Sequence, residues 1–292
     1  MQVIKAKTAG FCMGVSRAVR LLDKALAMRQ EARPSTQNPG PGLYTFGPII
    51  HNPQLVSEYE ERGAICMSDS KEAKPGDTVI IRAHGLPKDL ENALRGQSVN
   101  IIDATCPKVK AAQIAVQKAQ AHAEARLLLF GEAEHPEVKG LLSYAAPDAL
   151  VFGTLEELKS LPLQRQGQYF LAAQTTQDKT IFTEAIKYVM NFIGNDVKVL
   201  QTICDATKER QEEVLKIASQ VRSMVIVGGL NSGNTTRLAK LTHSKGIFTI
   251  HCENAQNIPV DKLKALQPVG LSAGASTPEE HIRQVEELLL RS

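Results

Sequence analysis

Three cysteines, Cys12, Cys106 and Cys204, occupy places where metal chemistry is easily built. Each follows a short apolar run (residues 3–6, 99–102 and 197–200) and opens a helix-like one (13–27, 107–123 and 205–221). A thiol between a strand's carboxyl end and a helix's amino end feels the positive end of the helix dipole. That favours the thiolate, the form that binds metal. The three lie 94 and then 98 residues apart, each close to a third of the 292-residue chain. A repeat with one cysteine per copy implies one site built jointly by three units. The sequence has no Cys-x-x-Cys pair, which excludes zinc-ribbon and ferredoxin spacings. Three convergent thiolates suit zinc with a fourth ligand, or an iron–sulfur cluster with one iron left open. Cys66 and Cys252 fall off the repeat and read as buried bystanders.

Other chemistry-bearing residues follow the same rhythm. His51, His84 and His135 each come directly after an apolar run, in polar loops with glycine or proline nearby. His122, His243 and His281 fall in helical runs, and His251 matches no repeat position. Asn231-Ser-Gly-Asn234 and Ser276 add donors, and Gly228, Gly229, Gly233 and Gly274 let backbone amides approach a phosphate closely. Glu137, across a proline from His135, is a proton donor only if burial or a nearby anion raises its pKa. Local sequence alone makes it a solvated carboxylate in the first turn of a helix.

The elements that must position these residues alternate. Strands are expected at 3–6, 43–46, 64–67, 77–82, 99–102, 126–130, 149–152, 169–172, 197–200, 224–227, 247–250 and 269–272. Helical segments separate most of them, which predicts an α/β fold of parallel sheets with ligands at the strands' carboxyl ends. Counted from each cysteine, the first polar strand end falls 39, 29 and 27 residues later, at His51, His135 and Asn231. The second falls 72, 69 and 72 residues later, at His84, Thr175 and Ser276. The last third lacks a fourth strand of its own, and the strand before Cys12 is expected to supply it. The units are therefore 13–104, 105–202, and 203–292 completed by residues 1–11. Residues 34–42, rich in proline and glycine, read as a loop.

Composition narrows the function. Hydrophobic content of 43% and charged content of 22% are ordinary for a globular chain. A net charge of +3 without basic runs interleaved with aromatics argues against nucleic acid as a partner. No apolar run reaches membrane-spanning length and the first residues lack a signal-like apolar core, so a cytoplasmic protein without a membrane partner is expected. An odd number of cysteines, five, in a reducing compartment speaks for metal or catalysis rather than a disulfide framework.

Taken together, Gly10-Phe-Cys12-x-Gly14-Val, Ile50-His51-Asn52, Ala83-His84-Gly85, Asp103-Ala-Thr-Cys106-Pro, His135-Pro-Glu137-Val, Gln174-Thr-Thr176, Asn231-Ser-Gly-Asn234 and Ala273-Gly-Ala-Ser276 resemble one known family. It is that of the 4-hydroxy-3-methylbut-2-enyl diphosphate reductases (LytB), with the motifs in family order from residue 10 to 276. The resemblance implies three similar α/β units with small parallel sheets, in a pseudo-threefold arrangement around a central 4Fe–4S cluster. It implies Cys12, Cys106 and Cys204 as ligands of three irons, with one iron open. His51, His84, His135, Ser232, Asn234 and Ser276 would bind the diphosphate, Thr175 would be the family's active-site threonine, and Glu137 the proton source. Gly233 stands where some members carry a hydroxyl, so a phosphate contact there falls to the backbone. The implied reaction is reductive removal of an allylic hydroxyl, the last step of the non-mevalonate isoprenoid pathway, with ferredoxin or flavodoxin as electron donor. Two other classes are a zinc-stabilised binding module for phosphorylated metabolites and an iron–sulfur redox sensor without turnover. Brown colour after anaerobic purification rejects zinc, and consumption of the diphosphate with a chemical reductant separates enzyme from sensor.

Overall fold

Each third of the chain lays its strands down in one spatial order. The computed structural model describes all residues except 32–39, 51, 122–124 and 195–196, and the side chain of Asn257. His51 and most of the expected 34–42 loop therefore lie outside the described residues. The chain runs β1 (Val3–Lys5), α1 (Met13–Glu31), β2 (Leu43–Phe46), α2 (Pro53–Glu61), β3 (Ile65–Met67), β4 (Thr78–Ile81), α3 (Lys88–Arg95) and β5 (Asn100–Asp103). It continues with α4 (Pro107–Ala121), β6 (Arg126–Phe130), α5 (Pro136–Leu142), β7 (Leu150–Phe152), α6 (Leu155–Ser160), β8 (Tyr169–Ala173), α7 (Lys179–Ile193) and β9 (Lys198–Val199). It closes with α8 (Asp205–Ala218), β10 (Ser223–Val227), α9 (Gly233–Ser244), β11 (Phe248–Cys252), α10 (Val260–Ala265), β12 (Val269–Ala273) and α11 (Glu279–Arg291).

Among the described residues the strands form three parallel four-stranded sheets, ordered β3-β2-β4-β5, β7-β6-β8-β9 and β11-β10-β12-β1. In the third sheet the amino-terminal strand takes the place that β5 and β9 hold in the others, with Val3 opposite Val269. That place is the edge strand whose end runs on to a cysteine. The chain divides into two compact bodies. One comprises Met1–Ser16, Ile50–Glu58 and Asp205–Ser292 and holds the third sheet; the other comprises Arg17–Ile49 and Tyr59–Cys204 and holds the first two.

Parallel sheets covered by helices on both faces need apolar side chains on both faces. In the second sheet Leu127 and Leu129 pack with Val116 and Leu141, while Leu128 and Phe130 pack with Phe182 and Val189. The third sheet alternates likewise: Val225 and Val227 face the cluster with Ile282 and Val285, and Met224 and Ile226 face Val214 and Leu238. Caps stop the helices where the loops must turn. Asp178 caps α7 by accepting from the backbone N–H groups of Thr180 and Ile181.

Some boundaries differ from expectation for local reasons. The helix expected to reach residue 221 ends at Ala218, and β9 contains two residues rather than four. The short α10 was not anticipated, because Pro259 opens it and its six residues carry too little periodic signal. The expected end of the helix after Cys106 falls on residues outside the described set. Among the described residues no helix is long and apolar enough to cross a membrane.

Candidate active site

Two backbone hydrogen bonds recur at the carboxyl ends of all three sheets. The first central strand ends in a glycine whose N–H reaches the neighbouring strand's last carbonyl: Gly47 to Met67, Gly131 to Phe152 and Gly228 to Cys252, at 2.8, 2.9 and 2.8 Å. The cysteine N–H groups bond just past the other central strand: Cys106 to Ala83 O, Cys204 to Thr175 O and Cys12 to Ala275 O, at 2.9, 2.9 and 3.1 Å. Each cysteine is thus pinned at one structural position, half-buried and free of disulfide. Their helices α1, α4 and α8 begin one residue later.

In the larger body, the loop after β6 delivers His135 to the amino end of α5. Its Nδ1 accepts the N–H of Glu137 at 3.1 Å, which assigns the proton of the neutral ring to Nε2. His84, in the turn after β4, packs edge-on against the His135 ring, with centroids 5.3 Å apart. Glu137 is 1% exposed, so the solvated carboxylate expected from local sequence is corrected. One oxygen accepts the N–H of Thr175 at 2.6 Å and the other its hydroxyl at 3.0 Å. Since the carbonyl of Thr175 also receives the Cys204 N–H, one residue links the buried acid to a cysteine loop.

Two residues given no role by sequence support this arrangement. Gln174, fully buried, accepts from the Glu132 N–H and donates to Thr176 Oγ1, joining the loops after β6 and β8. The Thr202 hydroxyl bonds both backbone groups of Ala173, tying the approach to Cys204 to the end of β8. Gln174 stands in a motif of the resemblance but without a role there. Its contact with Glu132 spans 42 residues and that of Thr202 with Ala173 spans 29, so neither long-range contact is written locally.

In the other body, Ser232 caps α9: its Oγ accepts the N–H and the hydroxyl of Thr235 at 3.4 and 3.0 Å. Gly233 opens that helix, and Asn234 is buried with its Nδ2 lacking a hydrogen-bond partner in the protein. Ser276, also buried, follows β12 in a turn closed by Thr277 N–H to Gly274 O. The two loops meet at Thr235, since a Cβ on Gly228 or Gly274 would come within 2.9 or 1.9 Å of its Oγ1. Gly274→Ala therefore must displace a fully buried, β-branched side chain that holds the Ser232 cap. The expected loss is about 1–3 kcal/mol of stability, read as a lowered thermal midpoint; an unchanged midpoint would refute the packing argument.

A family model described as LytB protein matches residues 3–290. The chain belongs to the LytB family. A relative from Nitratidesulfovibrio vulgaris (strain DSM 19637 / Miyazaki F), named 4-hydroxy-3-methylbut-2-enyl diphosphate reductase, is 50% identical over 289 residues, covering 99% of each chain. A solved structure titled as (E)-4-hydroxy-3-methyl-but-2-enyl diphosphate reductase, the terminal enzyme of the non-mevalonate pathway, is 40% identical with a TM-score of 0.70 and full coverage of both chains. The reductase structure from Plasmodium falciparum, 24% identical over 99% of this chain and 87% of its own, supports the fold with a TM-score of 0.88.

LytB membership makes the remaining histidines and cysteines informative by contrast. His243 is exposed near the end of α9, whereas His251, matched to no repeat position, meets the Gly228 carbonyl at 3.1 Å and so touches the loop that leads to Ser232. Burial pushes the Cys252 thiol up to about 12. Burial also raises Cys66, a half-buried rather than fully buried thiol. Both stay protonated at neutral pH and are poor ligands. Among the described residues no three His, Cys, Asp or Glu side chains gather tightly enough to hold a single metal ion. A cubane cluster spreads its thiolate ligands farther apart than one ion does. Three thiols at matched positions, Cys12, Cys106 and Cys204, are the donor type that iron–sulfur clusters take.

Proposed function

We propose that this protein reduces 4-hydroxy-3-methylbut-2-enyl diphosphate to isopentenyl and dimethylallyl diphosphate, the last step of the non-mevalonate isoprenoid pathway. Two electrons and two protons enter and one water leaves. The observation that carries the reading is the buried Glu137–Thr175 pair, set beside His135 and joined through Thr175 to the Cys204 loop. Cys12, Cys106 and Cys204 hold a 4Fe–4S cluster, which when bound supplies electrons singly and an open, Lewis-acidic iron. The repeat units are 13–104, 105–202, and 203–292 with 1–11, and one of these cysteines follows the edge strand of each sheet. Ferredoxin or flavodoxin is the electron donor, and the compartment is the cytoplasm.

The chain's own residues bind, orient and protonate. His51, His84, His135, Ser232, Asn234 and Ser276 hold the diphosphate, with the Gly233 backbone at the amino end of α9. The unpartnered Asn234 Nδ2 supports this assignment, because a buried donor without an acceptor costs about 1–3 kcal/mol until it finds one. Binding a group that does not react positions the allylic hydroxyl for one that does. Glu137, with the Thr175 hydroxyl on one oxygen, delivers the proton that lets the hydroxyl depart as water. Anaerobic iron and sulfide analysis, coupled to turnover of the diphosphate with a chemical reductant, tests the assignment. Protein that contains cluster but leaves the diphosphate unchanged would be a sensor, and colourless protein would be neither.

A further inference from the structure

Arg210 on α8 is 4% exposed, yet among the described residues it bonds to no acid. Its Nη1 donates to Ala273 O at 2.7 Å and its Nη2 to Gly10 O at 2.9 Å. Gly10 lies two residues before Cys12, and Ala273 lies two before Ala275, whose carbonyl receives the Cys12 N–H. One guanidinium thus ties together both stretches that fix the Cys12 backbone. Burying an arginine this deeply is costly, and only hydrogen bonds or nearby negative charge offset the cost.

The charge has a partner through space. Burial pushes the Arg210 guanidinium down from its ordinary range, and the negative charges of Cys12 and Glu213 push it back up. The guanidinium is thus a positive charge fixed by hydrogen bonds to the backbone two residues before Cys12 and to the end of β12. A similar strap stands at a second cysteine. Arg17 on α1 donates to Asp103 O at 3.0 Å and to Thr105 O, the residue before Cys106, at 3.3 Å. At Cys204 the neutral hydroxyl of Thr202 does the bracing instead.

We propose that Arg210 is a positioning residue for the iron–sulfur cluster, holding the Cys12 loop and setting the reduction potential through its fixed positive charge. This rests on the cluster assigned under the proposed function. A nearby cation favours the reduced, more negative cluster, so removing it moves the potential in the negative direction.

The test is to reconstitute the full chain anaerobically as parent, Arg210→Met and Arg210→Lys, then measure iron content and titrate the cluster potential. Arg210→Met is expected to shift the potential negative and to lose iron faster to a chelator. Arg210→Lys, which keeps the charge, is expected to stay near the parental potential. Parental potential with full iron in Arg210→Met overturns the proposal. So does an equal shift in Arg210→Lys, because charge then plays no part. If Arg210→Met does not fold, Arg210→Gln provides the neutral arm of the same comparison. A parent chain that takes up no cluster overturns the proposed function, and this inference with it; parental iron content distinguishes the two failures.

Discussion

Glu137→Gln is expected to lower turnover by about 10²–10⁴-fold, the range for loss of a positioned general acid, while iron content stays parental. The substitution preserves shape and keeps one oxygen as an acceptor for Thr175, so the loop that carries the Cys204 hydrogen bond has no reason to move. What disappears is a group that can carry a proton. The amide must also turn one N–H₂ toward Thr175, whose N–H and hydroxyl now meet one acceptor and one donor. The hydroxyl can rotate to accept; the backbone N–H cannot. The glutamine oxygen therefore settles on the N–H, and the hydroxyl relay is reversed. Substrate binding should change less than turnover, because Glu137 is assigned to proton delivery and the diphosphate to other residues. Near-parental turnover in Glu137→Gln would remove this carboxylate from the mechanism. A parallel fall in iron content would assign it a structural role.

How far the sequence reaches depends on the range of the interaction. The strand–cysteine–helix repeat is legible because an apolar run, a thiol and an amphipathic run are neighbours in the chain. The placing of β1 beside β12 is inferable only because the repeat leaves one strand missing. Glu137 defeats local reading: an acid two residues after a helix cap is ordinarily solvated, and its partner Thr175 is 38 residues away. Arg210 is harder still. It sits in a polar helix rich in acids and bases, and its two carbonyl partners lie 63 and 200 residues distant. His251 looks unremarkable for the same reason, since its contact with Gly228 crosses from β11 to the end of β10. Strands and caps are written locally, whereas the hydrogen bonds that hold the site are made between strand ends that only the folded sheet brings together.

The cysteines provide the second large effect. Cys106→Ser is expected to reduce bound iron and acid-labile sulfide to background in anaerobically purified protein, and to abolish turnover. A serine hydroxyl is a harder and far less acidic ligand than a thiol, so it replaces a thiolate poorly at iron. The backbone need not change, because the N–H bond from residue 106 to Ala83 O does not involve the side chain. Cys12→Ser and Cys204→Ser should behave alike, since each stands at the same position relative to its own sheet. Cys252→Ala is the discriminating control. That thiol lies in the apolar cluster with Val225, Val227 and Leu271, and burial holds it protonated, up to about 12. Its removal deletes one buried sulfur and costs some stability, but iron and colour should persist. Cys66→Ser should likewise keep its iron, because burial leaves that thiol protonated at neutral pH. If Cys106→Ser keeps parental iron, or if Cys66→Ser or folded Cys252→Ala loses it, then the matched positions of the three sheets do not define the ligand set.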